Sequence, residues 1–523
     1  MHRSKGFLFW ICLLTASTGA YAQVSQPNHY QKEINHFSHL EDIENDYLSR
    51  HIFIETDSTT DFEFTLLSPQ LSLLHNSTHA QGYNDGALWS GKGITLDASI
   101  GAQARWKRVS LTVYPRMYFS GNARFDLAQQ SSTTKSIYNY QFNVIGDIDY
   151  VQRYGDASFF HADFGQSEVR YRDDYVTAAV STENFTLGPT SIHSILMSRQ
   201  AAGFPHLEIG TSRFLAMKIK NIPLGKVKFQ QVYGVLEESS YFDRNPKNDD
   251  RLISTTTLEY RPPQPEGLKI GINRVFYQDL NNFESADLAR NLWYFGKTDD
   301  VVDAVGDTVN DLLDQMASIY FEYLIKSSGV RIYGEFVKND FNGSRRDFII
   351  GTDHARAYSF GFDKLFDVLD GKLMFTYEHT NVSRTGSASY RPEPSFYQHY
   401  QTIGGYTHQG QMLGTGTGPG SHVHTIQLKY YDQLRMIELG GHRIQFDEDY
   451  FDEVLAVYLP PDFENKDRKS AEYALPIRYS RLFERWSYSL QVMPSLRYNV
   501  NYELKNDQFN LYTSLTLNYF IDN

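Results

Sequence analysis

From about residue 94 to the C-terminus, apolar residues recur at every second position over stretches of 10 to 15 residues. In the first such stretch Ile94, Leu96, Ala98, Ile100, Ala102, Ala104 and Trp106 form one face, and Thr95, Asp97, Ser99, Gln103 and Arg105 form the other. After a tight Lys107-Arg108 link, Val109, Leu111, Val113, Met117 and Phe119 resume the apolar face. The same pattern closes the chain: Tyr488, Leu490, Val492, Leu496, Tyr498 and Val500, then Phe509, Leu511, Leu515, Leu517 and Tyr519. Side chains alternate between faces only in a β-strand. Strands of soluble proteins average about 5–6 residues, whereas segments of about ten alternating residues with aromatic ends suit a transmembrane barrel.

Connection lengths test this independently. From residue 212 onward the expected links are Asn221–Gly225, Glu237–Asp250, Pro262–Glu266, Gln278–Met316, Lys326–Gly329, Asn339–Ala355 and Phe366–Asp370. They continue as Ser383–His422, Asp432-Gln433, Asp447–Ala471 and Phe483–Trp486, ending in a short loop near Glu503–Asp507. Short and long alternate until that final loop, as periplasmic turns and external loops do in outer-membrane barrels. A large soluble β-sandwich would also alternate its residues, but has no reason to sort its loops by length. The expected fold is therefore all-β: an outer-membrane barrel of 18 or 19 strand candidates, which closure restricts to an even number.

Composition fits this reading. No run of about 18 apolar residues exists, so a helical bundle is excluded. The single cysteine, Cys12, excludes a disulfide scaffold and a cysteine-based zinc site. It lies in an export signal expected over residues 1–22: basic Arg3 and Lys5, apolar Phe7 to Ala16, then Ala20-Tyr21-Ala22 before Gln23. Residues 23–60 are expected as a periplasmic N-terminal segment and 61–523 as the barrel. Losing Arg3 and Lys5 takes the net charge from −13 to −15. So acidic a chain has no general attraction for an anionic polymer, and nucleic acid is not an expected partner.

Several loops carry features of their own. Val302, Val305, Val309, Leu312, Leu313 and Met316 fall at helical spacing, which predicts a short amphipathic helix packing in the barrel mouth. Gly414 to Ser421 (GTGTGPGS) lacks the Lys-Ser/Thr ending of a phosphate loop. Asp447–Glu453 (DEDYFDE) lacks the glycine and spacing of a calcium loop and reads as a solvated acidic turn. His422-x-His424 points two imidazoles to one side of a strand, but no third ligand is identifiable, so no metal or cofactor is expected. No nucleophile elbow, zinc-protease helix or ordered nucleophile–base pair is visible, so an enzyme is not expected.

Five stretches resemble the capsule-assembly Wzi family of outer-membrane proteins: Gly82–Gly93, Gly165–Ser167, Ser181–Pro189, Leu196–Thr211 and motifs spaced along Leu313–Phe362. Gly418–Ser421 is also similar to a family loop. Where many relatives carry tryptophans after Glu183-Asn184, this chain has Phe185 and Thr186. The resemblance implies an 18-stranded barrel plugged by external loops, acting as a lectin that anchors capsular polysaccharide or exopolysaccharide. A porin or transporter is the alternative. Sugar-binding candidates on the external loops are Trp293, Tyr294, Arg391, Tyr397, Tyr400 and His408. A polar lumen network fixing the plug is expected from Asp85, Glu183, Asn184, His206, Glu335, Arg346, Asp347, His354 and Arg356. Outer-membrane lipid and the barrel-assembly machinery complete the expected partners.

Overall fold

The computed structural model describes His36, Leu40 and residues 61–128, 135–140, 142, 147–245, 247, 249–283, 301–302, 308–309, 313–339, 345–389, 394–399, 402–432, 434–452 and 468–521. Eighteen antiparallel strands close on themselves. They are β1 (Phe62–Asn76), β2 (Gly93–Trp106), β3 (Val109–Val113 and Arg116–Ser120), β4 (Phe159–Asp163 and Glu168–Arg172), β5 (Val176–Ser181) and β6 (His206–Thr211 and Leu215–Ile219). Next come β7 (Ile222–Leu236), β8 (Arg251–Arg261), β9 (Leu268–Asp279), β10 (Leu313–Ile325), β11 (Val330–Asn339) and β12 (Arg356–Val368). The last are β13 (Gly371–Asn381), β14 (His422–Tyr431), β15 (Arg435–Gln445), β16 (Ala471–Ala474 and Ile477–Leu482), β17 (Trp486–Tyr498) and β18 (Gln508–Tyr519).

Each strand pairs with its sequence neighbours, and β1 pairs with β18 from Gln70↔Asn518 to Asn76↔Tyr512. Closure satisfies the backbone groups that hydrocarbon cannot and leaves no free edge. A register shift between Leu67 and Gln70 admits Pro69, which has no N–H for the ladder.

Alternation sorts the side chains as the sequence requires. Ile94, Leu96, Ile100 and Trp106 are exposed on the outer wall, while Thr95, Asp97 and Ser99 are buried inside. Exposed Trp106, Tyr175, Trp486 and Tyr519 ring the short-turn end, and Phe119, Phe160, Tyr473, Tyr498 and Phe509 the long-loop end. Amphipathic rings sit well at these two interfaces. Among the described residues no helix is long and apolar enough to cross a membrane.

Long and short connections alternate all the way round. The long ones are L1 (77–92), L2 (121–158), L3 (182–205), L4 (237–250), L5 (280–312), L6 (340–355), L7 (382–421), L8 (446–470) and L9 (499–507). L3 and L7 turn inward and build an apolar core inside the barrel, where Phe185, Leu187, Ile195, Leu196 and Met197 meet Tyr397, Tyr406, Met412 and Leu413. At the opposite end His36 and Leu40, four positions apart and both helical, also lie buried in the lumen. Leu40 packs with Leu324, Met374 and Met436, and His36 Nε2 lies 3.3 Å from Asp363 Oδ2. They are the described part of the segment 23–60 expected to be periplasmic. The export signal expected over residues 1–22 lies outside the described residues.

The helix expected near Val302–Met316 is corrected. Val301 pairs with Val309 and Val302 with Thr308 in a small antiparallel hairpin, and Leu313 to Ile325 is a barrel strand. Among the described residues the loops carry short helices at α1 (Arg345–Ile350), in L6, and at Glu448–Tyr450, in L8.

Candidate functional site

At the long-loop end L1, L2, L7, L8 and L9 line a cleft that opens to solvent. Half-buried Tyr83, Trp89, Tyr140, Phe142 and Tyr150 present ring surface to it. Packing holds these rings in place. Trp89 donates from Nε1 to Asn122 Oδ1 at 3.2 Å and packs edge-on against Tyr154, centroids 4.9 Å apart. Phe142 sits 4.9 Å from Tyr502, and Tyr140 lies 5.4 Å from Tyr150.

Polar groups edge the rings. Glu472, buried on β16, accepts from Gln81 Nε2 at 2.7 Å and from the Tyr83 hydroxyl at 3.4 Å. Arg497 of β17 lies over the Phe446 ring at 3.8 Å and donates from Nε to Ser470 Oγ at 3.2 Å. Gln152, Gln200 and Asp126 complete the rim. The result is aromatic faces beside fixed carboxylate, amide and guanidinium groups in one concave surface.

Two carboxylates of the acidic turn in L8 are not solvated, which corrects the sequence reading for them, while Asp452 is exposed. Asp447 and Asp449 are buried. Asp447 accepts from the Tyr140 hydroxyl at 2.5 Å and from the Tyr450 N–H at 3.0 Å. Asp449 accepts from the Arg384 N–H at 2.8 Å. Gly420, at φ +57°, lets the GPGS turn press on this pair: a Cβ there would lie 2.5 Å from Asp447 Oδ1. Burial, then the Asp449 charge, pushes the Asp447 carboxyl well above its ordinary value. Burial likewise pushes Asp449 up to about 7. The folded state thus holds protons the unfolded chain would release, so stability falls as pH rises from about 4 through 7. Protection of the amides of residues 447–452, taken relative to the intrinsic exchange rate at each pH, is therefore expected to be greater at pH 5.5 than at pH 8. Asp449→Asn should flatten that difference, and equal protection at both pH values would refute the assignment.

The sequence candidates distribute unevenly. Trp293, Tyr294, Arg391 and Tyr400 lie outside the described residues. Tyr397 is fully buried in the plug, stacked on Tyr406 at 5.9 Å, with its hydroxyl donating to Ile195 O at 2.8 Å. His408 is buried too, its Nδ1 accepting the Glu237 N–H at 3.0 Å. Neither presents a face to a sugar, which corrects both.

Of the expected lumen residues, Asn184 is the knot of three motifs. Asn184 and Gln166 exchange bonds, Asn184 N–H to Gln166 Oε1 at 3.0 Å and Gln166 Nε2 to Asn184 Oδ1 at 2.9 Å. Asn184 Nδ2 also donates to Ala201 O at 2.9 Å. Glu183 and His206 are buried beside it in L3 and β6, with His206 Nδ1 2.8 Å from Phe204 O. The half-buried Asp85 accepts on its carbonyl from Arg116. Glu335 is buried beneath Gly188, where a Cβ would lie 2.5 Å from its carboxylate. His354 is buried in L6, its carbonyl accepting from Lys338. Arg346 and Arg356 are corrected. Arg346 is exposed on α1, which also carries Asp347. Arg356 shares the outward parity of Tyr358 and Phe360, and donates to Asn381 Oδ1 at 3.3 Å and Ser383 O at 3.0 Å.

The lumen network that sequence reasoning missed centres on Arg331, Glu322, Asp363, Lys269 and Glu378. They alternate inward on β9 to β13, a signal present in the sequence but shared by dozens of polar residues. Trp89 and Tyr83 lay within the motif Gly82–Gly93, without anything local to mark them as cleft-lining.

Eighteen strands, an apolar outer wall and a lumen filled by its own external loops define an outer-membrane β-barrel with an internal plug. The model of the capsule assembly protein Wzi family matches residues 76–449, and the chain belongs to that family. Among solved structures it is similar to Wzi of Escherichia coli, an outer-membrane protein involved in group 1 capsule assembly and a carbohydrate-binding β-barrel. The two are 11% identical, with a TM-score of 0.56 over 87% of this chain and 85% of that one. OccAB4 of Acinetobacter baumannii (10% identity, 88% and 98% covered, TM-score 0.38) and OprD of Pseudomonas aeruginosa (7%, 86% and 92%, 0.38) are more distant barrels. No curated protein sequence matches.

Proposed function

We propose that this chain binds surface polysaccharide in the cleft between L1, L2 and L8 and holds capsular polysaccharide or exopolysaccharide at the outer face of the membrane. The observation that carries the reading is the pairing of half-buried Tyr83, Trp89 and Tyr150 with Glu472, Gln81 and Arg497 in one concavity. Pyranose rings offer apolar faces to aromatics and equatorial hydroxyls to planar hydrogen-bonding groups, and the cleft supplies both. The carbohydrate-binding relative supports the same class of ligand. Trp293, Tyr294, Arg391 and Tyr400, on L5 and L7, are proposed as further contacts. Insertion by the barrel-assembly machinery is part of the same proposal, and the belted outer wall supports a surrounding collar of outer-membrane lipid. The cleft serves retention of polymer rather than its synthesis or cleavage.

A glycan array on the detergent-folded chain tests this. Trp89→Ala with Tyr83→Ala is expected to weaken binding at least about tenfold, given about 0.5–1.5 kcal/mol per aromatic contact beyond buried area. Cells carrying that variant should shed polymer into the medium while making a normal total. Unchanged affinity and unchanged retention would remove the cleft from the mechanism.

A further inference from the structure

The strongest feature that the polysaccharide reading leaves unused is on the outside of the barrel. His379 on β13 stands directly across the ladder from His424 on β14, and His422 sits two residues before His424. Glu378 and Thr380 face the plug, so alternation turns His379 outward. His422 and His424 share the outward parity of the exposed Ile426 and Leu428. The three imidazoles therefore cluster at the external rim, just above the apolar wall. Their ring centroids are 4.3 Å (His379–His424), 4.9 Å (His379–His422) and 4.8 Å (His422–His424) apart. One ligating nitrogen from each lies within 4.8 Å of the others.

We propose that His379, His422 and His424 bind a zinc-type divalent cation at the base of L7. Three imidazoles with no carboxylate select Zn²⁺ and its late first-row neighbours over Ca²⁺ or Mg²⁺, which require oxygen. Zinc–nitrogen bonds of about 2.0–2.1 Å in a tetrahedron bring the nitrogens to roughly 3.3 Å, a shift within side-chain rotation. One backbone carbonyl and one side-chain hydroxyl already orient two rings. His379 Nδ1 lies 3.0 Å from Val423 O, and the Tyr377 hydroxyl lies 3.0 Å from His424 Nδ1, which leaves Nε2 of each ring for the metal. Three protein ligands leave the fourth position to water. L7 departs at Asn381 and returns at His422, so the ion ties together the two stems of the loop that fills the lumen.

The test uses the untagged full chain folded in detergent and stripped with chelator. Titration with Co²⁺ should give one equivalent with visible tetrahedral absorption, displaced by Zn²⁺ and untouched by Ca²⁺. Zn²⁺ should also raise the temperature at which the barrel loses its heat-modifiable mobility. Losing second-sphere groups alone costs metal sites about 10–100-fold, so His379→Gln and His424→Gln should each cost at least about 100-fold. Heat-modifiable mobility shows whether each variant has folded, and His161→Gln, on β4 at the far side of the barrel, should bind as the parent does. Absence of a stoichiometric cobalt spectrum, or a spectrum that survives in both folded variants, would overturn the assignment.

Discussion

Arg331→Met is expected to lower the stability of the folded barrel by about 3–5 kcal/mol, the cost of removing one partner from a buried charge network. Arg331 is fully buried, with Nη1 2.9 Å from Asp363 Oδ2 and Nη2 3.1 Å from Glu322 Oε2. Its guanidinium also lies 4.1 Å from the Tyr333 ring centroid and donates to Pro189 O and Ser191 Oγ on L3. One planar fork thus joins two wall carboxylates to the plug, which a point charge cannot imitate. Methionine leaves Glu322 with Lys269 at 3.4 Å and Asp363 with His36 at 3.3 Å. Both carboxylates are themselves fully buried, so their desolvation is then poorly compensated. Arg331→Lys should fall between parent and Met, and Arg331→Met combined with Asp363→Leu should be milder than Arg331→Met alone. Urea unfolding in detergent micelles measures all three. An unshifted midpoint for Arg331→Met would mean that the network contributes no net stability.

The barrel was legible because a membrane imposes two simple rules on sequence. Ile94 to Trp106 must show lipid every second residue, and loops on the two sides of the membrane obey different length limits. Neither rule reaches inside the lumen. Val302, Val305 and Val309 satisfy helical spacing equally well as a hairpin, since a few apolar residues in a short window fit either period. Tyr397 and His408 looked like exposed loop residues because nothing local says whether L7 turns outward or folds into the barrel. Its inward turn depends on Tyr397 reaching Ile195, two hundred positions away in the chain. The sequence also showed His422 and His424 without His379, because a cross-strand partner becomes visible only once register is known. Arg356 was placed on the wrong face for the same reason: one residue of register reverses every side chain.

Glu378→Ala is expected to convert a closed barrel into one that carries ionic current. The fully buried Glu378 carboxylate accepts the N–H groups of Ser191 and His193, each at 2.7 Å, and of Ile192 at 3.2 Å, with the Tyr333 hydroxyl at 2.8 Å. Each bond to a charged group contributes about 1.5–3 kcal/mol, so the tip of L3 is latched to β13. The latch extends to L1: Ile192 O accepts from Asn84 Nδ2 and Arg199 O from the Gly86 N–H, each at 2.8 Å. L1 is the partition of the lumen. Gly82, Tyr83 and Leu88 border both the external cleft and a second cavity beneath it. Alanine at 378 releases L3, and L1 loses its support with it. His36 lines the lower cavity and Leu40 packs near the short-turn end, so Glu378→Ala alone should give brief, flickering openings. Adding His36→Ala and Leu40→Ala should lengthen those openings. Planar-bilayer recording distinguishes the outcomes: a silent parent with conducting variants fits the latch, while silent variants would show that L7 alone seals the barrel. Large steady currents through the parent chain would instead favour a porin, and a plug that serves polysaccharide retention would have to be abandoned.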